Sequence, residues 1–170
     1  MKKNGLTLVE LLIVLLIVGI TSSFAIPSGK NILVEFKQYS FMHNLIRSIS
    51  FARSEAITRN STIRLCASND GEFCSSSSRW EEGWIIYQDK AGKSVRTKDD
   101  PILKIHTGVK NITIRKNGRE KTVKFNNSGW LGLNRSFYIC DSQTLKPLKR
   151  LVIIHSGRVR ITDEGIRCNA

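Results

Sequence analysis

Histidine and proline are scarce in this 170-residue chain, at three each, and acidic residues are outnumbered by basic ones, 14 against 27. So little proline excludes a proline-rich spacer, and the absence of any internal repeat excludes a solenoid. The three histidines, His43, His106 and His155, stand apart from one another, and none lies at ligand spacing from a cysteine. The cysteines, Cys66, Cys74, Cys140 and Cys168, lack the close pairs that structural zinc sites use, so neither a metal nor a cofactor is expected. There is no nucleophile elbow, no H-E-x-x-H and no phosphate-cradling glycine loop. The acidic pairs Glu81-Glu82 and Asp99-Asp100 fall in loops and read as surface or structural residues. An enzyme needs convergent groups, and with so few on offer none is expected.

The charge is lopsided as well as high. Of the formal +13, the residues after Pro101 supply 14 basic and 4 acidic side chains, a net +10. Such asymmetry points to an acidic partner, with nucleic acid, acidic polysaccharide and anionic lipid all admissible, or to a basic solvated surface. At this length the chain accommodates one membrane helix and one globular domain large enough for a real core.

There is only one long apolar run, from Leu6 to Ile26, preceded by Lys2 and Lys3 and interrupted early by Glu10. Its ~21 residues at ~1.5 Å each match a hydrocarbon thickness of ~30 Å. An ionised carboxylate at mid-bilayer costs about 2.5 to 3.5 kcal/mol, so Glu10 calls for a partner. A secretory signal cleaved after Ala25 would fit the basic and apolar regions but would carry a charge unfavourable for translocation. A generic single-span anchor would leave Glu10 without a purpose. The stretch Gly5-Leu6-Thr7-Leu8-Val9-Glu10-Leu11 resembles the class III leader of type IV pilins and type II secretion pseudopilins. That resemblance implies cleavage by a prepilin peptidase between Gly5 and Leu6, methylation of the new N-terminus, pairing of Glu10 with a neighbouring subunit's terminal amine, and a helix kinked at Pro27. It also implies residence as a single-pass protein of the bacterial inner membrane with a periplasmic C-terminus, then incorporation into a pilus or pseudopilus.

The two lysines hold the N-terminus in the cytoplasm, which places the body of the chain where disulfides persist. Four cysteines allow three pairings. Cys66–Cys74, closing a short loop around Asn69-Asp70-Gly71, and Cys140–Cys168, tying the tail to a strand, are preferred.

Beyond Pro27, which should break the helix locally, Leu45, Ile49, Ala52 and Ala56 recur at steps of four, three and four, with Tyr39, Met42 and Ile46 flanking the stripe. This predicts an amphipathic helix to about Arg59. From Ser61 the period shortens, and strands are predicted over 62–67, 83–87, 102–105, 112–116, 121–125, 137–140, 151–155 and 158–161. Asn117-Gly118 is the strongest hairpin signal, and Ser156-Gly157 predicts a second, two-residue turn. Alternation after that turn puts Arg158 and Arg160 on one face, with Val159 and Ile161 directed into the core.

Four stretches carry a narrower resemblance: Phe51-Ala52-Arg53-Ser54-Glu55-Ala56, Trp80-Glu81-Glu82-Gly83-Trp84, Phe125-Asn126-Asn127-Ser128-Gly129 and Ser156-Gly157-Arg158-Val159-Arg160. Together they resemble the GspH/FimT family of minor pilins and pseudopilins. The implied fold is α+β and type IV pilin-like, a long N-terminal helix packed on an antiparallel β-domain. Its parts are a leader (1–5), an assembly and membrane helix (6–27), an amphipathic continuation (28–60) and a β-rich domain (61–170). The implied partners are other major and minor pilins, and, for FimT-type members, DNA bound through the G-R-x-R element during natural transformation. Arg158 and Arg160 carry over. Charge spacing adds Arg115, Lys116, Arg119 and Lys121 around the Asn117-Gly118 turn, and Lys146, Lys149 and Arg150 before the last hairpin. Arg53 and Glu55 read as solvated or intersubunit charges.

Overall fold

Thr7 opens the first element by accepting a hydrogen bond from the Glu10 amide on its hydroxyl (3.3 Å), so that helix α1 (Leu8–Thr58) starts on a threonine cap with Glu10 in its first turn. This is the Thr-x-x-Glu pattern of a capping box, and a carboxylate there also faces the positive end of the helix dipole. In the computed structural model, residues 7–77, 79–109, 112–116, 121–165 and 168 are described, with residues 23–35 and 37 described by backbone only. The cleavage pair Gly5 and Leu6 lies outside them, as does Arg119 with the Asn117-Gly118 turn.

The chain divides into two units, 1–39 and 40–170. In the first, the apolar side chains from Leu8 to Ile20 stand exposed, Leu8 by 75% and Leu16 by 66%. Thr21 and Ser22 turn their hydroxyls back onto the carbonyls of Ile17 and Val18 (2.6–3.1 Å), which satisfies both without solvent. Among the described residues no helix is long and apolar enough to cross a membrane. The described side chains of the apolar run stop at Ser22, so the expected span over 6–27 is only partly covered. Helix α1 continues through Pro27, so the missing amide there does not end it.

In the second unit, the last turns of α1 bury the stripe read from the sequence: Leu45, Ile49, Ala52 and Ala56 are fully enclosed, joined by Phe41 and Met42; Tyr39, the last residue of the first unit, is exposed. Among the described residues eight strands follow: β1 (Ile63–Ala67), β2 (Gly83–Gln88), β3 (Ile102–Thr107), β4 (Ile112–Lys116), β5 (Thr122–Phe125), β6 (Arg135–Asp141), β7 (Pro147–Ile153) and β8 (Val159–Thr162). They form two antiparallel sheets, β3-β2-β1-β5 and β4-β6-β7-β8. The Asn117-Gly118 hairpin is therefore a correction: β4 pairs with β6 and β5 with β1, so the flanking strands belong to different sheets. Tolerance of positive φ is a local property; pairing is decided by where Val123 and Phe125 find burial, beside Leu65 and Ile63 of β1.

One core gathers the helix stripe and both sheets. Trp80 meets Phe137 edge-on (4.9 Å) and Phe41 meets Trp84 likewise (5.1 Å). A smaller cluster of Cys66, Ile85 and Tyr87 sits beneath the Cys66–Cys74 disulfide, and Cys140–Cys168 ties the tail to β6; both are the preferred pairings. Burial pushes the Tyr87 hydroxyl far above its ordinary value.

Candidate functional site

Gly157 sets the geometry of the last hairpin. Its amide donates to the Ile154 carbonyl (2.8 Å), the Ile154 amide donates to the Arg158 carbonyl (3.0 Å), and its φ is +80°. His155 and Ser156 keep negative φ, so the loop is three residues, His155 to Gly157, with the glycine in the left-handed position. The two-residue turn expected from sequence needs positive φ at its first residue, Ser156, and is corrected here. The register that follows sets Val159 opposite Ile153, Arg160 opposite Val152, Ile161 opposite Leu151 and Thr162 opposite Arg150. Val159 packs against the core as expected, but Ile161 is 42% exposed because β8 is an edge strand with no neighbour to cover it.

Arg158 and Arg160 are both exposed, on the face turned from the core. No hydrogen bond or ion pair holds either among the described residues. The same face carries a rung running across all four strands, Arg115–Tyr138–Arg150–Thr162. Arg150 lies over the Tyr138 ring at 5.6 Å and donates to the Ser136 hydroxyl (3.2 and 3.3 Å), which holds its guanidinium flat against the sheet. Four arginines thus share one sheet face.

The other basic candidates fall elsewhere. Lys149 is opposite Ile139, on the alternate face, and its Nζ is paired with Asp163 (2.7 Å). Lys146 is exposed in the β6–β7 turn, roughly 25 Å along β7 from the hairpin tip. Lys116 is opposite Phe137 at the end of β4, on the other face of the strand from Arg115, and Lys121 precedes β5 in the other sheet.

Arg53, which the sequence presents as a solvated or intersubunit charge, is tied into the fold instead. Its Nε donates to the Gly129 carbonyl (3.3 Å). A β-carbon on Gly129 would come within 2.7 Å of the Ile57 side chain, and one on Gly157 within 2.6 Å of Arg53 Cδ and 2.8 Å of the Gly129 carbonyl. Three of the quoted stretches, around Arg53, Gly129 and Gly157, therefore interlock at one place. Their co-occurrence was the available signal. The 126–130 loop is held by the Asn126 side chain, which accepts from the Ser128 and Trp130 amides, and Asn127 reaches Asn60 (3.1 Å). Beside it the half-exposed Trp130 ring rests on His155 (5.4 Å). Among the described residues no group of three or more His, Cys, Asp and Glu side chains is placed to hold a metal ion.

Comparison with known proteins agrees with this geometry. A family model described as type II transport protein GspH matches residues 42–157, and one described as the prokaryotic N-terminal methylation motif matches residues 1–26. The crystal structure of the type IV minor pilin FimU of Pseudomonas aeruginosa is similar at 24% identity, covering 73% of this chain and 91% of that one with a TM-score of 0.55. The minor pseudopilin EpsH from the type 2 secretion system of Vibrio cholerae is similar at 12% identity, covering 76% and 98% with a TM-score of 0.52. At these identities the likeness is one of fold. No curated protein sequence matches the chain.

Proposed function

Because the chain belongs to the type II transport protein GspH family, we propose that it is a minor type IV pilin that captures extracellular DNA for natural transformation. The observation that carries this reading is the shared face of Arg115, Arg150, Arg158 and Arg160, with the last two held by no hydrogen bond or ion pair among the described residues. A guanidinium donates two parallel hydrogen bonds to phosphate, and contacts to phosphate position a strand without reading its bases. Binding is accordingly weakly sequence-specific and steeply salt-dependent. With roughly four to six phosphates neutralised, log K falls with log salt at a slope of about −3.6 to −5.4. The test is DNA binding by the full chain in detergent, beside Arg158→Gln/Arg160→Gln with its fold checked by circular dichroism. Equal binding by the two proteins would sink the reading.

The same proposal covers the N-terminus. The methylation motif match over residues 1–26 supports cleavage after Gly5, methylation of Leu6, an inner-membrane stage with the C-terminus in the periplasm, and pairing of Glu10 with the next subunit's amine. Intact mass should show a chain starting at N-methylated Leu6, and a start at Ile26 would refute it.

A second reading rests on the exposed apolar side chains from Leu8 to Ile20. In it the protein only primes pilus or secretion-pseudopilus assembly with other pilins. A deletion strain separates the two: DNA uptake lost with pili intact supports the first, and lost pili or lost secretion supports the second.

A further inference from the structure

An open groove of about 470 Å³ lies between the last turns of α1 and the β7–β8 hairpin. One helical stripe forms its first wall, Ser50, Arg53, Ser54 and Ile57, at the three- and four-residue spacing that brings side chains onto one face. Gly157, Arg158 and Val159 form the second. Arg53, Arg158, Ser50 and Ser54 therefore border one space, with no carboxylate among the lining residues. Glu55, the acidic residue of this helical turn, is engaged by Arg59 instead. Arg53 is fixed through Nε on the Gly129 carbonyl, and its terminal nitrogens meet no partner among the described residues. Gly157 is what lets Arg53 lie there, since any β-carbon at that position would strike its Cδ.

We propose that this groove is a phosphodiester subsite, in which Arg53 and Arg158 clamp one phosphate and Ser50 and Ser54 donate to its oxygens. Two like charges held in a half-enclosed site repel until an anion enters, and the apolar sides of Ile57 and Val159 reduce screening there. Arg158 then links the groove to the arginine face: Arg160 stands two residues along the strand, roughly 7 Å away, so a single backbone can run from one to the other. The inference rests on the DNA reading and adds a helix residue to a surface otherwise built from strands.

The experiment titrates a short labelled duplex with the full chain in detergent, over a salt series, for four variants. Ser50→Glu/Ser54→Glu puts two carboxylates into the groove at exposed helix positions and leaves the Arg53–Gly129 hydrogen bond in place. It should weaken binding by about tenfold or more. Ser94→Glu/Val95→Glu makes the same charge change at exposed positions between β2 and β3 and should have a far smaller effect. Arg53→Gln should weaken binding about tenfold and make the salt slope shallower by about 0.9, a change that loosened packing alone would not give. Arg158→Gln/Arg160→Gln separates the two ideas. If it abolishes binding while Ser50→Glu/Ser54→Glu binds like its charge control, the groove is not a subsite and the DNA reading stands. If the unaltered chain binds no DNA, both fall.

Discussion

The two sheets treat arginine in opposite ways. In β3-β2-β1-β5, Arg64 is buried, its Nε on Asp89 (2.6 Å) and a terminal nitrogen on the Thr122 hydroxyl (3.0 Å), with Asp89 buried too. In β4-β6-β7-β8, Arg158 and Arg160 project from an edge hairpin and bind nothing among the described residues. The first arrangement belongs to folding and the second is the one proposed to meet a partner, and composition alone does not tell them apart. The sharpest way to break the comparison is to delete one from each. Arg64→Ala leaves the Asp89 carboxylate buried and uncompensated, at a cost of about 3 to 5 kcal/mol in urea unfolding. Arg160→Ala should stay within about 0.5 kcal/mol. A recovery of most of the loss in Arg64→Met/Asp89→Leu would show that the pair is a satisfied burial rather than a source of stability.

Glycines sharpen the same contrast at smaller amplitude. Gly92, between β2 and β3, and Gly157 both have positive φ, but a β-carbon on Gly92 meets nothing whereas one on Gly157 meets Arg53 and the Gly129 carbonyl. Both alanine variants bear the left-handed strain of roughly 1 kcal/mol. Gly157→Ala should exceed Gly92→Ala by about another 1 kcal/mol in unfolding and should alone weaken DNA binding. Equal losses would mean that Arg53 moves aside freely.

Charge on the second sheet gives a test that hardly touches stability. Arg158→Gln/Arg160→Gln should make the salt slope of DNA binding shallower by about 1.8. Lys149→Gln should change it much less, because Asp163 already engages that ammonium (2.7 Å). If the lysine variant matched the double arginine variant, net charge rather than the shared face would be responsible.

What the sequence made legible follows from what it encodes locally. The eight strands of the described residues and the buried stripe Leu45, Ile49, Ala52 and Ala56 show in the periodicity, because burial imposes it residue by residue. The division into two sheets does not show: Asn117-Gly118 advertises a hairpin, and only tertiary burial sends β5 to β1 instead. The GspH family assignment was within reach, since the quoted stretches lie across most of the chain. Arg158 and Arg160 were legible from alternation, but Arg53 was not, because its place depends on two glycines 76 and 104 residues further on. Glu10 was read as a cost in search of a partner. Its role at the third position after the Thr7 cap is local and was written in Thr-x-x-Glu all along.

The smallest effect concerns acid, and it too divides by sheet. Asp100, fully buried beside the first sheet, is pushed up by burial, but the Thr97 amide and hydroxyl and the Lys90 and Ala91 amides outweigh this and hold it below the ordinary 3.8. Asp141, half-buried at the end of β6, is lowered by the Thr144 amide and hydroxyl and the Gln143 amide. A carboxyl whose folded pKa is lowered stabilises the fold above its unfolded pKa, and that stability drains away as pH falls through the folded value. Both aspartates therefore sharpen the loss of Tm below about pH 4. Asn at either position removes the titration while keeping an acceptor oxygen. Asp100→Asn should flatten the acid limb of a Tm-against-pH curve more than Asp141→Asn, since its four donors are shielded from competing water. The reverse order would mean that the long loop before β3 opens before the carboxyl titrates, and that the first sheet is the less protected of the two in acid.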